Sequence, residues 1–114
     1  MGEIGGVMSE EKKHRVYFAT SRVKGKCMPT KIGYTCNPDE RLKDLQVGNP
    51  NKLVMAMLLT CESEADGRKL ERTLHFLARK RFQKLRGEWF LIKGSWKKLI
   101  EQALKMCRVE LVSK

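Results

Sequence analysis

The longest apolar run in the chain is the seven residues "LVMAMLL" at 53–59. A membrane-crossing helix needs about 20 such residues, so this run cannot span a bilayer. At about 3.3 Å per residue it fits one pass of a strand through a small sheet. Because it is nearly continuous rather than alternating, it predicts a central strand over 52–61, covered on both faces. Such a strand requires sheet neighbours and a helical layer.

The chain offers both. "HRVYFAT" at 14–20 and "TKIGYT" at 30–35 are rich in β-branched and aromatic residues, and the basic segment between them contains Gly25 and Pro29. They predict an antiparallel hairpin with a long loop. Asn37 is a good helix cap, Pro38 suits the first helical position, and Glu40 can reach back to the cap, so a helix begins at Pro38 with Leu42, Leu45 and Val47 as its modest apolar stripe. "GNPN" at 48–51 is a turn. After the apolar run, Ser63 caps a longer helix that puts Leu70, Leu74 and Leu77 on one face, with Gly67 weakening its first turns. "GEWFLI" at 87–92 is a short extended piece, and an amphipathic helix follows from Ser95. The order β-β-α-β-α, then a short extended segment and a C-terminal helix, predicts an α+β domain with a small three-stranded, mostly antiparallel sheet flanked by helices. Residues 14–114 are expected to form this single domain, and 1–13 a loose, Gly-rich leader without the features of a signal peptide.

The 24 Lys and Arg residues against 13 Asp and Glu give a formal charge of +11, which favours a polyanionic partner, nucleic acid before an anionic membrane. The four cysteines, Cys27, Cys36, Cys61 and Cys107, contain no C-x-x-C pair, so free thiols in a cytoplasmic setting are expected rather than a zinc site or disulfides.

Nine of the eleven net charges lie between residues 68 and 98, where eleven basic residues face only Glu71 and Glu88. On the long helix Arg68, Arg72 and Arg79 fall within roughly 40° of one another, opposite the leucines. This ridge, extended by Lys80, Lys84 and Arg86, suits a phosphate backbone; the competing reading is a solvated helix face. Glu71 sits at the edge between core and basic face, with His75 one turn later. It can be an ion-pair partner, or a carboxylate holding a divalent metal beside a phosphate. Arg41, on the first turn of the Asn37-capped helix, can be a solvated surface residue or a phosphate ligand.

These residues resemble the GIY-YIG endonuclease superfamily, especially its small phage-associated branch. The resemblance rests on "VYF" at 16–18 and "KIG" at 31–33 in place of the two name motifs, Arg41 ten positions after Lys31, "LERTLHFLARKRF" at 70–82 and "GEWF" at 87–90. It implies a metal-dependent nuclease acting on duplex or branched DNA, with one Mg²⁺ or Mn²⁺ held by Glu71. Arg41 would stabilise the scissile phosphate, and Tyr17 would contact or help deprotonate the attacking water. Lys31 would replace the second motif's tyrosine, Gly33 would permit close backbone packing, and Tyr34 or His75 would supply supporting polar groups. The chain departs from the family pattern at Val16 and Lys31, has Leu45 where many members carry His or Tyr, and lacks an identifiable late asparagine. Two other functions stay open: a catalytically silent nucleic-acid-binding module on the same scaffold, and an interaction protein whose basic face meets an acidic partner.

Overall fold

The computed structural model describes residues 13–21, 29–93 and 96–112. Most of the expected leader, residues 22–28 with Cys27, for which a loop was expected, and Ser95 lie outside them. Strand β1 (His14–Ser21) is followed by β2 (Pro29–Thr35), α1 (Pro38–Gln46), β3 (Leu53–Cys61), α2 (Glu64–Arg81), β4 (Gln83–Lys84), a 3₁₀ turn (Arg86–Glu88), β5 (Trp89–Leu91) and α3 (Trp96–Cys107). The result is an α+β domain with three helices.

The sheet has five strands in the order β3-β1-β2-β5-β4, not the three expected, and all adjacent pairs are antiparallel. The two additional strands come from "QK" at 83–84 and "WFL" at 89–91, too short to show a period. The expectation for the apolar run is also corrected. β1, β2 and β5 each have a strand on both sides, whereas β3 lies at one edge of the sheet. The register between β1 and β3 shifts after Phe18, where Ala56 is the extra residue, and Leu58 is 39 % exposed. The run is therefore apolar without being fully covered. One hydrogen bond from Val112 N–H to the Thr60 carbonyl, 2.8 Å, lays the C-terminal tail on the outer edge of β3.

Period-two alternation divides the sheet. Val16, Phe18 and Ile32, each at 0 % exposure, face α2 and α3, where they meet Leu70, Leu74, Leu99 and Ala103. Each such large side chain contributes on the order of 1.5–3 kcal/mol by burial. Trp96 closes this layer against Phe18 with ring centroids 5.1 Å apart. Tyr17, Ala19 and Ser21 turn to the other face, and α1 packs on that side through contacts with β1 and β3.

Helix α1 has no buried residue, so its ends hold it in place. Asn37 Oδ1 accepts from Glu40 N–H at 3.2 Å, and Asn37 Nδ2 donates to Glu40 Oε1, the reciprocal cap expected. At the other end Gln46 donates through Nε2 to the carbonyls of Asn49 and Asn51 and accepts from Leu53 N–H at 2.8 Å, pinning the helix to the start of β3.

Candidate functional site

Tyr17 and Gly33 are directly opposed in the β1–β2 ladder. The Tyr17 ring lies across Gly33 so closely that a Cβ there would come within 2.5 Å of Cζ and 2.8 Å of Cε2, and closer still to the hydroxyl. The glycine is thus required by the ring, not by its own backbone, whose φ is not positive. From α1, Arg41 donates through Nε to the Tyr17 hydroxyl at 3.1 Å. The Nη groups of Arg41 make no hydrogen bond to another described residue, which leaves a charged fork beside a buried phenol.

Burial pushes the Tyr17 pKa up, and the Glu71 carboxylate adds to the rise, while the Arg41 hydrogen bond and charge oppose it without reversing it. Tyr17 is therefore neutral at physiological pH, and its O–H can orient a water or a phosphate oxygen rather than act as a ready-made base.

Glu71 and His75 come from α2. His75 is buried and donates from Nε2 to the Ile32 carbonyl at 2.8 Å, with its ring edge-on to Phe90. That carbonyl is available because the β2–β5 ladder ends at the pair Lys31–Trp89. His75 thus fixes α2 against the open part of β2 and carries Glu71 with it; His75 Nε2 and Glu71 Oε2 are 3.8 Å apart. The Glu71 side chain is 23 % exposed. With Arg72, His75 and Arg79 it lines a concavity of about 260 Å³.

Lys31 Nζ donates to the carbonyl of Gly87 at 3.1 Å. Gly87 has φ 64°, a left-handed conformation that glycine adopts without penalty, and it turns the "GEWF" segment back into β5 beside Lys31. Lys31 thus shares the sheet face of Tyr17 and Gly33.

The structure does not bring all the expected residues together. Tyr34 points to the opposite sheet face, where its ring fills the space over Gly67: a Cβ there would lie 2.7 Å from Tyr34 Cε1. The helix glycine is a packing requirement. The Tyr34 hydroxyl is engaged by His14 Nδ1 at 2.7 Å and Cys36 Sγ at 3.3 Å, and burial and the Cys36 contact raise its pKa. Arg68 separates from the ridge: it pairs with Glu64 at 3.1 Å and stacks on Tyr34 with 4.5 Å between its guanidinium carbon and the ring centroid. Arg72 and Arg79 remain beside Glu71, Lys80 lies over Phe76, Lys84 is exposed on β4, and Arg86 lines a second cavity. Sequence reasoning missed the His14–Tyr34–Cys36 network, whose members are 20 and 2 residues apart, and the Gln46 staple. The three described cysteines, Cys36, Cys61 and Cys107, are free thiols.

Among the described residues no group of three or more His, Cys, Asp or Glu side chains is placed to hold a metal, and no helix is long and apolar enough to cross a membrane. No curated protein and no solved structure matches the chain significantly. A family model for the T5orf172 domain, which is phage-associated, matches residues 14–109, from the first residue of β1 to just past α3, so the chain belongs to the T5orf172 domain family.

Proposed function

We propose that this chain is a divalent-metal-dependent DNA endonuclease built on a GIY-YIG-like plan. The observation that carries the reading is the Arg41–Tyr17 hydrogen bond laid over Gly33, with Glu71 close enough to influence Tyr17 and flanked by Arg72 and Arg79. A phosphodiester entering there meets a fixed guanidinium fork, a neutral hydroxyl donor and a hard carboxylate oxygen.

Each residue has a distinct task in this reading. Arg41 neutralises charge developing on the phosphoryl oxygens, through the Nη groups not engaged by Tyr17. Tyr17, buried and held by Arg41, presents its O–H at a fixed position. Lys31 adds positive charge on the same sheet face. Arg72 and Arg79 bind flanking phosphates. Glu71 fits a hard cation such as Mg²⁺ or Mn²⁺, whose remaining ligands would be phosphate oxygens and water, the common arrangement for Mg²⁺. When bound, the cation supplies charge neutralisation at the leaving or attacking oxygen. His75, with Nε2 donated to Ile32, positions α2 and is not a ligand in this arrangement.

A second reading, a catalytically silent nucleic-acid-binding module, is favoured by the raised pKa of Tyr17 and by the tie between Lys31 and the Gly87 carbonyl. Plasmid nicking separates the two. The nuclease reading expects nicking with Mg²⁺ or Mn²⁺, its loss with chelator, and its loss in Glu71→Gln with DNA binding equal or tighter. A well-folded Glu71→Gln protein that still nicks at the wild-type rate removes Glu71 from the site.

A further inference from the structure

The face that carries Tyr17 and Lys31 holds a second cavity, of about 240 Å³, at the far end of the sheet. Ser21, Leu53, Asn51, Arg86 and Trp89 are among the residues that line it. Ser21 is only 9 % exposed, and its hydroxyl has no hydrogen-bond partner among the described residues. Its oxygen is closed to solvent, so Ser21 shapes the floor of the cavity, and the groups that can meet a ligand are those at its wall and rim. The pocket is smaller than the ~300–1,000 Å³ sites of drug-sized ligands, and its size suits one planar ring system.

Its lining is chemically selective. Trp89 offers an aromatic surface on which a base can stack. The Asn51 side-chain amide, a paired donor and acceptor of the kind that reads base edges, makes no hydrogen bond to another described residue. Arg86 brings a cation to the rim. Ser21 lies four residues along β1 from Tyr17, about 13 Å, which is the rise of roughly four stacked nucleotides. Lys31, opposite Trp89 in the ladder, stands between the two positions.

We infer that this cavity receives one unstacked nucleobase of the nucleic-acid substrate, a few nucleotides from the phosphate held at Arg41, so that the protein prefers DNA with an unpaired base over a continuous duplex. The inference rests on the nucleic-acid reading above but not on turnover, and it is tested in chelator, where cleavage plays no part. The full chain is titrated with three probes: a paired duplex, the same duplex with a single-nucleotide bulge of 2-aminopurine, and the corresponding single strand. The bulged and single-stranded probes should bind roughly tenfold tighter than the duplex, with 2-aminopurine fluorescence quenched by stacking. Trp89→Leu should erase the preference and the quenching while duplex affinity stays at the wild-type value. Asn51→Asp, a surface change that does not depend on β5 folding, should also reduce the preference. Equal wild-type affinity for paired and unpaired probes would overturn the pocket assignment alone. Binding to none of the probes would overturn the nucleic-acid reading with it.

Discussion

Gly33→Ala is the sharpest single test of the site, because one methyl group meets the residue on which the site depends. Its Cβ would lie 2.5 Å from Tyr17 Cζ and 2.8 Å from Cε2, well inside van der Waals contact. The Gly33 φ is not positive, so the backbone itself accepts alanine, and the reduced entropy of the unfolded chain would by itself stabilise by about 0.4–1 kcal/mol. The clash dominates, since overpacking a tight site costs typically 1–3 kcal/mol. The three nearest atoms all belong to the Tyr17 ring, so the ring must move, and the 3.1 Å bond from Arg41 breaks. Thermal unfolding should fall by roughly 4–8 °C per kcal/mol, and single-turnover DNA cleavage by about a hundredfold, the usual cost of one misplaced transition-state donor. The decisive measurement is a double-mutant cycle with Tyr17→Leu. The clashing atoms belong to the tip of the ring, so in that background Gly33→Ala should be neutral or stabilising, giving a coupling of about 1–3 kcal/mol. Additive stability changes, within about 0.5 kcal/mol, would show that Gly33 is constrained by something other than Tyr17.

Arg41→Lys keeps the charge but loses the fork. Cleavage should slow by roughly a hundredfold with DNA affinity near wild type, and cleavage within a factor of two of wild type would contradict a phosphate-positioning role. Arg72→Gln and Arg79→Gln should each lower the salt slope of DNA binding by about one unit, equally across sequences, whereas Arg68→Gln should lower it less because Arg68 is already paired with Glu64; an equal loss at all three positions would restore the continuous ridge. Burial raises the Cys61 thiol from 9.0 to about 11, so the folded state holds that proton longer than the unfolded chain does. The associated stability is complete below pH 9 and is lost as pH rises towards 11, by on the order of 2–3 kcal/mol. Urea titrations of wild type and Cys61→Ala across that window should show the slope only in wild type.

Local chemistry was the legible part of the fold. The Asn37–Pro38–Glu40 cap, the Ser63 cap and the antiparallel pairing of β1 with β2 all follow from residues close in sequence, and the structure contains each of them. Position within the sheet was not legible, because apolar composition reports how much of a strand can be buried and not which neighbours bury it. β3 shows the difference: the Ala56 bulge and its edge position leave Leu58 partly in solvent. Strand β4 was hidden for another reason, since two residues cannot display a period, and 87–92 was legible as extended without showing that β5 joins the sheet beside β2. At the site, Arg41 and Glu71 stood out by spacing and by isolation. Face assignment was lost at Tyr34, one residue past Gly33, because a single step along a strand moves a side chain to the other side of the sheet. The helical wheel grouped Arg68 with Arg72 and Arg79, but it could not register Tyr34, a residue of another element, drawing Arg68 away.

Backbone hydrogen-bond accounting explains why the candidate site lies where it does. β5 covers β2 only from Pro29 to Lys31, so the next carbonyl, on Ile32, needs a partner from outside the ladder. His75 provides it and thereby fixes the turn of α2 that bears Glu71. At the same step Lys31 reaches across to Gly87, the residue whose positive φ starts β5, and Gly33 leaves room for Tyr17. The end of one strand pairing thus sets the Glu71 helix, the Lys31 contact and the bed of the Tyr17 ring together. A change that extends the β2–β5 ladder by one pair would compete with His75 for the Ile32 carbonyl and shift Glu71, even though it altered no side chain of the site.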